Sequence, residues 1–321
     1  MRICFDEMKE FFEKNSSFLL LCHQNPDGDT LGSAYALAKA LQSMGKQARV
    51  EVDDKISSDF NFMLEGLEMQ VFEPERVVAI DVADTKLLGD DYKIKYAQGI
   101  DLCIDHHSSN VLYAQKVYLE PDSASTAEII FLLLNALNCD ITPYIASCLF
   151  TGVTTDTGCF RFSNTTCRTY EIASCLVKKG ADSYNIIQVF FETKSKKFAK
   201  LERLALDSMR FYFSEKCALV CITRDMFERS GTDICDCDRL ANMPRQIEGV
   251  LVGVVMKEMK NGQFKVSVRT HGDIDASAIC SRLSGGGHRG AAGCTLDGPK
   301  QAAINYVLKE VGAELDAVVI D

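Results

Sequence analysis

The sequence predicts an α/β protein in which a parallel-sheet N-terminal domain is joined by a connector helix to a smaller α+β C-terminal domain. Three observations carry that expectation. Over the first half of the chain, short apolar runs alternate with helix-period segments, as in a parallel sheet covered on both faces. Residues 183–211 then keep a helical period. Beyond residue 215 two apolar strands flank Asn261-Gly262, a strong short-range hairpin signal. A length of 321 residues suits two domains at about 150 residues each. The expected boundaries are 1–185, 186–214 for the connector, and 215–321.

In chain order, Phe5, Met8, Phe11 and Phe12 fall at helical spacing and open the chain with a short amphipathic helix. Residues 18–22 read as a buried strand, and 31–44 as a helix closed by Gly45. Strands follow at 48–52, 77–80 and 102–104, the last two running into Asp81 and Asp105. Residues 126–137 and 143–153 are helical, with Pro143 suited to a first turn, and 166–179 is a helix stopped by Gly180. The connector has a charged middle, Lys194-Ser195-Lys196-Lys197, which fits a solvated face. In the last third, 218–222, 250–256 and 264–269 are strands. A helix over 276–283 runs into Ser284-Gly285-Gly286-Gly287-His288, and one over 300–315 closes the chain.

Composition narrows the function. With 47% hydrophobic and 25% charged residues, the chain can bury an ordinary core and is not disordered. No apolar run approaches the roughly 20 residues that span a bilayer, and acids stand where a signal peptide would be apolar. A cytoplasmic protein without membrane contact is expected. The net charge of −10 argues against binding long duplex DNA, whose affinity rests on neutralising many phosphates. Most of the fourteen cysteines sit in apolar runs, as Cys22, Cys103, Cys148 and Cys221 do, and read as reduced, small hydrophobes. Cys235-Asp236-Cys237 is a lone pair without zinc-site spacing.

Polar clusters gather where predicted strands end, the edge at which open parallel sheets bind ligands. His23-Gln24-Asn25-Pro26-Asp27-Gly28-Asp29 follows the first strand, Asp81 and Asp84 the third, and Asp105-His106-His107 the fourth. Thr154-Thr155-Asp156-Thr157-Gly158 follows the helix that begins at Pro143. One Asp at a strand end is as easily a helix cap. So many carboxylates and imidazoles together would repel one another without a cation. Mixed carboxylate and imidazole ligands suit Mn²⁺ or another divalent transition ion better than Ca²⁺, and there are enough for two ions.

These segments, in this order, resemble the motifs of the DHH phosphoesterase superfamily. Gly285-Gly286-Gly287-His288-Arg289-Gly290-Ala291-Ala292-Gly293 is similar to the glycine-rich motif of its associated C-terminal domain. The resemblance covers nearly the whole chain, and its compact layout is similar to the nano-RNase and pAp phosphatase group. It implies two divalent ions, Mn²⁺ above others. One takes His23, Asp27 and Asp81; the second takes Asp29, the bridging Asp81, His106 and Asp156. Asp81, Asp105, His106 and His107 form the catalytic set, with Asp105 orienting the His106 ring and His107 facing the scissile phosphate. The resemblance leaves open an exchange of roles between His106 and His107. It admits a homodimer.

In the second domain, Gly285, Gly286 and Gly287 are expected to form an anion-binding nest, with His288, Arg289 and Arg269 adding charge beside it. The expected activity is hydrolysis of short oligoribonucleotides, such as pGpG, to 5′-mononucleotides, or of pAp to AMP, by water activated between two metals. Cyclic dinucleotide hydrolysis is the nearest alternative. A family II pyrophosphatase fits less well, because Ser281-Arg282-Leu283-Ser284-Gly285 stands where that family carries a basic motif. A non-catalytic nucleotide sensor would have no need to hold so much negative charge.

Overall fold

The computed structural model describes residues 1–96 and 99–319, the side chains of 235, 236, 238, 318 and 319 apart. Cys235 and Asp236 of the Cys-x-Cys segment therefore lie outside the described side chains. Two units result, Met1–Thr193 and Lys194–Asp321.

The first unit runs α1 (Phe5–Lys14), β1 (Ser17–Leu21), α2 (Gly28–Ser43), β2 (Gln47–Glu51), α3 (Asn61–Gly66), β3 (Arg76–Ile80) and α4 (Asp90–Tyr96). It continues with β4 (Leu102–Asp105), β5 (Lys116–Leu119), α5 (Thr126–Ala136), α6 (Pro143–Asp156), α7 (Cys167–Lys178) and α8 (Ser183–Ile187). All five strands are parallel, in the order β2-β1-β3-β4-β5. Strand β1 is central and buried throughout. By the period of two, Phe18 and Leu20 enter the larger core under α2, α5 and α6, while Leu19 and Leu21 enter the smaller core on the other face. The strand order reverses between β1 and β3, which opens a crevice at their carboxyl ends.

Three departures from the sequence reading bear on the site. Helix α2 begins at Gly28, because the Asp27 carboxylate caps the amides of Asp29 and Thr30; Asp29 thus lies in a helical first turn. Helix α6 runs on to Asp156, so that carboxylate arrives from a helix end and not from a loop after it. Strand β5, unforeseen in the sequence, completes the sheet edge. Helices α2 and α6 approach closely through glycine. A Cβ on Gly32 would lie 2.3 Å from the Cys148 carbonyl oxygen. Gly32→Ala should therefore destabilise the protein by about 1–3 kcal/mol, the usual cost of overpacking, and lower its melting temperature. An unchanged melting temperature would contradict this packing.

The expected connector helix over 186–214 is not one helix. Residues 188–192 form a widened helical turn after α8, Thr193 is extended, and Ser195 caps a new helix, α9 (Lys196–Ser208), by accepting from the Phe198 amide at 3.0 Å. The lysine-rich segment is thus a helix start. A capping serine flanked by helix formers leaves the helical period unbroken, which is why periodicity hid the break.

The second unit continues with β6 (Arg210–Tyr212), β7 (Cys217–Ile222), α10 (Arg224–Ser230), β8 (Val252–Glu258), β9 (Phe264–Thr270), α11 (Ala276–Arg282), β10 (Gly286–His288), β11 (Ala291–Leu296) and α12 (Lys300–Val319). Its mixed sheet has the order β10-β11-β9-β8-β7-β6, with only β7 and β8 parallel. Val252, Val254, Val266 and Val268 pack beneath α11 and α12, while Val220, Ile222 and Val255 meet Phe198 and Leu201 of α9. The Asn261-Gly262 hairpin forms, with Gly262 at φ +83° and Glu258 opposite Phe264. Among the described residues no helix is long and apolar enough to cross a membrane.

Candidate metal centre

Adjacent strands β1, β3 and β4 deliver three of the polar clusters to one edge. Just beyond β1, His23 has Nδ1 2.9 Å from the Gln24 carbonyl, and its Nε2 lies 3.7 Å from Asp27 Oδ1 and 4.0 Å from Asp81 Oδ2. Asp81 leaves β3 in the left-handed region at φ +60°, a conformation Asp tolerates better than most residues. Its Oδ1 accepts from Thr126 Oγ1 at 2.8 Å. The buried Asp29 carboxylate accepts the amides of Thr126 at 2.7 Å and Ala127 at 2.9 Å, so the positive end of α5 faces it.

His106 carries the most informative contact. Its Nδ1 lies 3.1 Å from the Ser123 carbonyl oxygen, which can only accept, so Nδ1 bears a proton and Nε2 is the ring atom left to meet a ligand. That Nε2 is buried without a hydrogen-bond partner. It lies 3.4 Å from Asp156 Oδ2, 3.7 Å from Asp81 Oδ1 and 3.9 Å from Asp29 Oδ2. These separations are too long for hydrogen bonds. They are within the roughly 4.2 Å that two ligand atoms can span when each sits about 2.1 Å from one ion.

Among the described residues, one group with ligand atoms close enough to share an ion joins His23, Asp27 and Asp81; another joins Asp29, His106 and Asp156, three of the four residues expected at the second ion, without Asp81. A third joins Asp81, His106 and His107. The residues present fit divalent cations, because they offer hard oxygen and imidazole donors around an unpartnered ring nitrogen.

Asp105 plays a different part from the one expected. Its Oδ1 accepts the amides of His106 and His107 and lies 2.8 Å from His107 Nδ1; its Oδ2 accepts from Asn110 Nδ2 at 2.6 Å. The ring it orients is therefore that of His107, while the Ser123 carbonyl orients His106. Sequence reasoning missed Ser123, Asn110 and Thr126. Only the Ser125-to-Glu128 spacing, a helix-start signature, marked that turn.

Electrostatics agree with a site built for cations. Burial, reinforced by neighbouring carboxylates, holds Asp29 and Asp156 well above the usual carboxylate range. Burial would lower His23 and His107, yet Asp27 raises the first to about 9, and Asp105 with Asp81 raises the second to about 12. Without an ion, the cluster neutralises itself with protons.

In the second unit, the glycine segment is not a nest. Gly286–His288 is an edge strand paired with β11, and a Cβ on Gly287, at φ +146°, would lie 2.5 Å from Ala292 Cα. Gly285 is equally close-packed, 2.2 Å from the Gly293 carbonyl oxygen by the same measure. Two of the three glycines thus serve strand packing, and only Gly286 faces open space. Arg269 stands opposite Ala291, itself opposite His288, so the strands bring the two side chains to one sheet face. The Arg289 guanidinium meets Asp273 at 3.2 Å in an exposed pair.

Comparison with known proteins matches the model described as "DHH family, N-terminal domain" to residues 17–153 and that of the DHHA1 domain to residues 218–316. The chain is 30% identical to the bifunctional oligoribonuclease and PAP phosphatase NrnA of Thermus thermophilus, over 91% of this chain and 88% of that one. It is 26% identical to the cyclic-di-AMP phosphodiesterase GdpP of Geobacillus thermodenitrificans, of which it spans 46%. The fold matches an exopolyphosphatase-related protein from Bacteroides fragilis with a TM-score of 0.88 at 24% identity, covering 96% of this chain and 95% of that one.

Proposed function

The chain belongs to the DHH family, with a DHHA1 domain in its second unit, and is a hydrolase; from this premise we propose that it hydrolyses very short oligoribonucleotides to 5′-mononucleotides and pAp to AMP. The observation that carries the reading is the buried, unpartnered His106 Nε2 ringed by the carboxylates of Asp29, Asp81 and Asp156. In this reading His23, Asp27 and Asp81 hold one Mn²⁺, and Asp29, Asp81, His106 and Asp156 hold a second. Such a pair, when bound, supplies charge neutralisation at a phosphoryl group and makes water a nucleophile at neutral pH.

The chain's own residues divide the remaining work. Asp105 fixes the His107 ring, which donates a proton to the departing oxygen. In the second unit, Arg269, His288 and Arg289 offer the cationic side chains for phosphate groups, while the close-packed Gly285 and Gly287 serve the strand and not an anion nest. The exposed Arg289–Asp273 pair is worth little and exchanges readily for a phosphate. We place this activity in the cytoplasm, and the name of the relative NrnA supplies a substrate analogy.

Substrate length provides the test. A surface of net charge −10 repels a polyanion, and the few cationic groups named here engage only a few phosphates. With Mn²⁺ present, kcat/KM should peak at about two to five nucleotides and fall for chains of about twenty, less steeply as salt rises. The measurement is a panel of pAp, pApA, a five-mer and a 24-mer RNA, a cyclic dinucleotide and pyrophosphate. Equal or faster cleavage of the 24-mer would reject the short-substrate reading. Preference for the cyclic dinucleotide would favour the activity named for GdpP.

A further inference from the structure

Beneath the candidate metal centre lies an ion pair, with a buried carboxylate and a partly exposed guanidinium, that the proposed chemistry does not use. Glu128, in the first turn of α5, is fully buried. Its Oε2 accepts the Ala124 amide at 3.2 Å and lies 3.1 Å from Ser123 Oγ and 3.3 Å from Arg168 Nε. The Ser123 hydroxyl has one proton and a second acceptor, the Ser125 carbonyl at 2.9 Å, so the Ala124 amide is the firmer hold. Arg168, at the start of α7, also reaches Glu120 Oε1 at 2.6 Å. Asn164 Nδ2 binds the same turn from the other side, donating to the Ala124 carbonyl at 2.9 Å and to the Asp156 carbonyl at 3.2 Å.

A fully buried carboxylate in a helix first turn is costly unless its partners repay the lost hydration. Here Glu128 Oε1 has no hydrogen-bond partner at all. What the pair does accomplish is local: it clamps the Ser123–Ala124 peptide, and the carbonyl of that peptide is the acceptor for His106 Nδ1. We propose that Glu128 and Arg168 are positioning residues for the metal centre, acting through the Ser123 carbonyl to fix the tautomer and direction of His106. Asn164 ties the next peptide, through the Ala124 carbonyl, to the Asp156 carbonyl at the end of α6.

The inference rests on the reading that His106 is a metal ligand, and the test separates the two. Mn²⁺ binding is titrated calorimetrically to the full-length metal-free protein, to Glu128→Gln, to His106→Ala, and to the double variant. Loss of a partner behind a metal-bound histidine typically costs about 10–100-fold in affinity. Glu128→Gln should therefore weaken one of two ions by about that factor and leave the other within about twofold. In the His106→Ala background the same substitution should change affinity by less than about twofold, because its route to the ion is gone.

A merely structural Glu128 would weaken both ions, or act equally in both backgrounds; either result overturns the proposal. A wild-type protein that binds no ion defeats the metal reading itself. Should Glu128→Gln not fold, Arg168→Lys takes its place in the same cycle, since Arg168 is partly exposed and retains its charge. Failure of both to fold would make the pair structural and overturn the proposal.

Discussion

Asp81→Asn is expected to abolish turnover, by at least about two orders of magnitude, and to release bound metal. Among the described residues, Asp81 is the one carboxylate within 4.0 Å of both rings, 4.0 Å from His23 Nε2 through Oδ2 and 3.7 Å from His106 Nε2 through Oδ1. A neutral amide cannot bridge two cations. The substitution is chosen because Asn matches Asp in shape, still accepts from Thr126 Oγ1, and tolerates the left-handed backbone at φ +60°. Alanine would add backbone strain and mix a folding defect with the loss of charge. Metal analysis and turnover on pAp are measured together. Two ions retained with near-normal activity would refute the bridging role.

Metal-free and metal-loaded protein should respond to pH differently. His23 titrates near 9 in the folded state against about 6.5 when unfolded, so between those values the native protein holds a proton that the unfolded chain has lost. Stability from this source is complete below pH 6.5 and is lost as the pH rises to 9, on the order of 3 kcal/mol for the single group. Asp29 and Asp156, raised by burial, act in the same direction from about pH 4 upward. Divalent ions compete with those protons, so their affinity grows as pH rises. An ion at a hundredfold excess over its Kd adds about 2.7 kcal/mol. Thermal melts in chelator should fall from pH 6 to 9, and the gap to Mn²⁺-containing samples should widen. Parallel curves would mean that the cluster does not exchange protons for metal.

The sequence by itself determined the fold class and the residue types gathered at the candidate site. Alternating strand and helix periods are local properties, so β1, β3 and β4 were legible within a residue or two, and with them the placement of His23, Asp81, Asp105, His106 and His107 at one sheet edge. The donor types, carboxylate and imidazole, were likewise legible as groups that could hold a metal ion. The helix break at Ser195 and the short strands β5, β10 and β11 were not legible. Three to six residues leave too little periodicity to read, and their pairing depends on partners distant in the chain.

Only the tertiary structure decided which groups hold the site residues in place. The resemblance gives Asp105 to His106, yet it binds His107, while a backbone carbonyl from Ser123 takes His106. The amides of Thr126 and Ala127 reach Asp29 across almost a hundred residues, and Asp156 arrives at the end of a helix packed on Gly32. The physical reason is common to all three. Side-chain ligands announce themselves by type, but every residue carries a backbone carbonyl and nearly every one an amide, so which of them points at a given ring or carboxylate is set by packing alone.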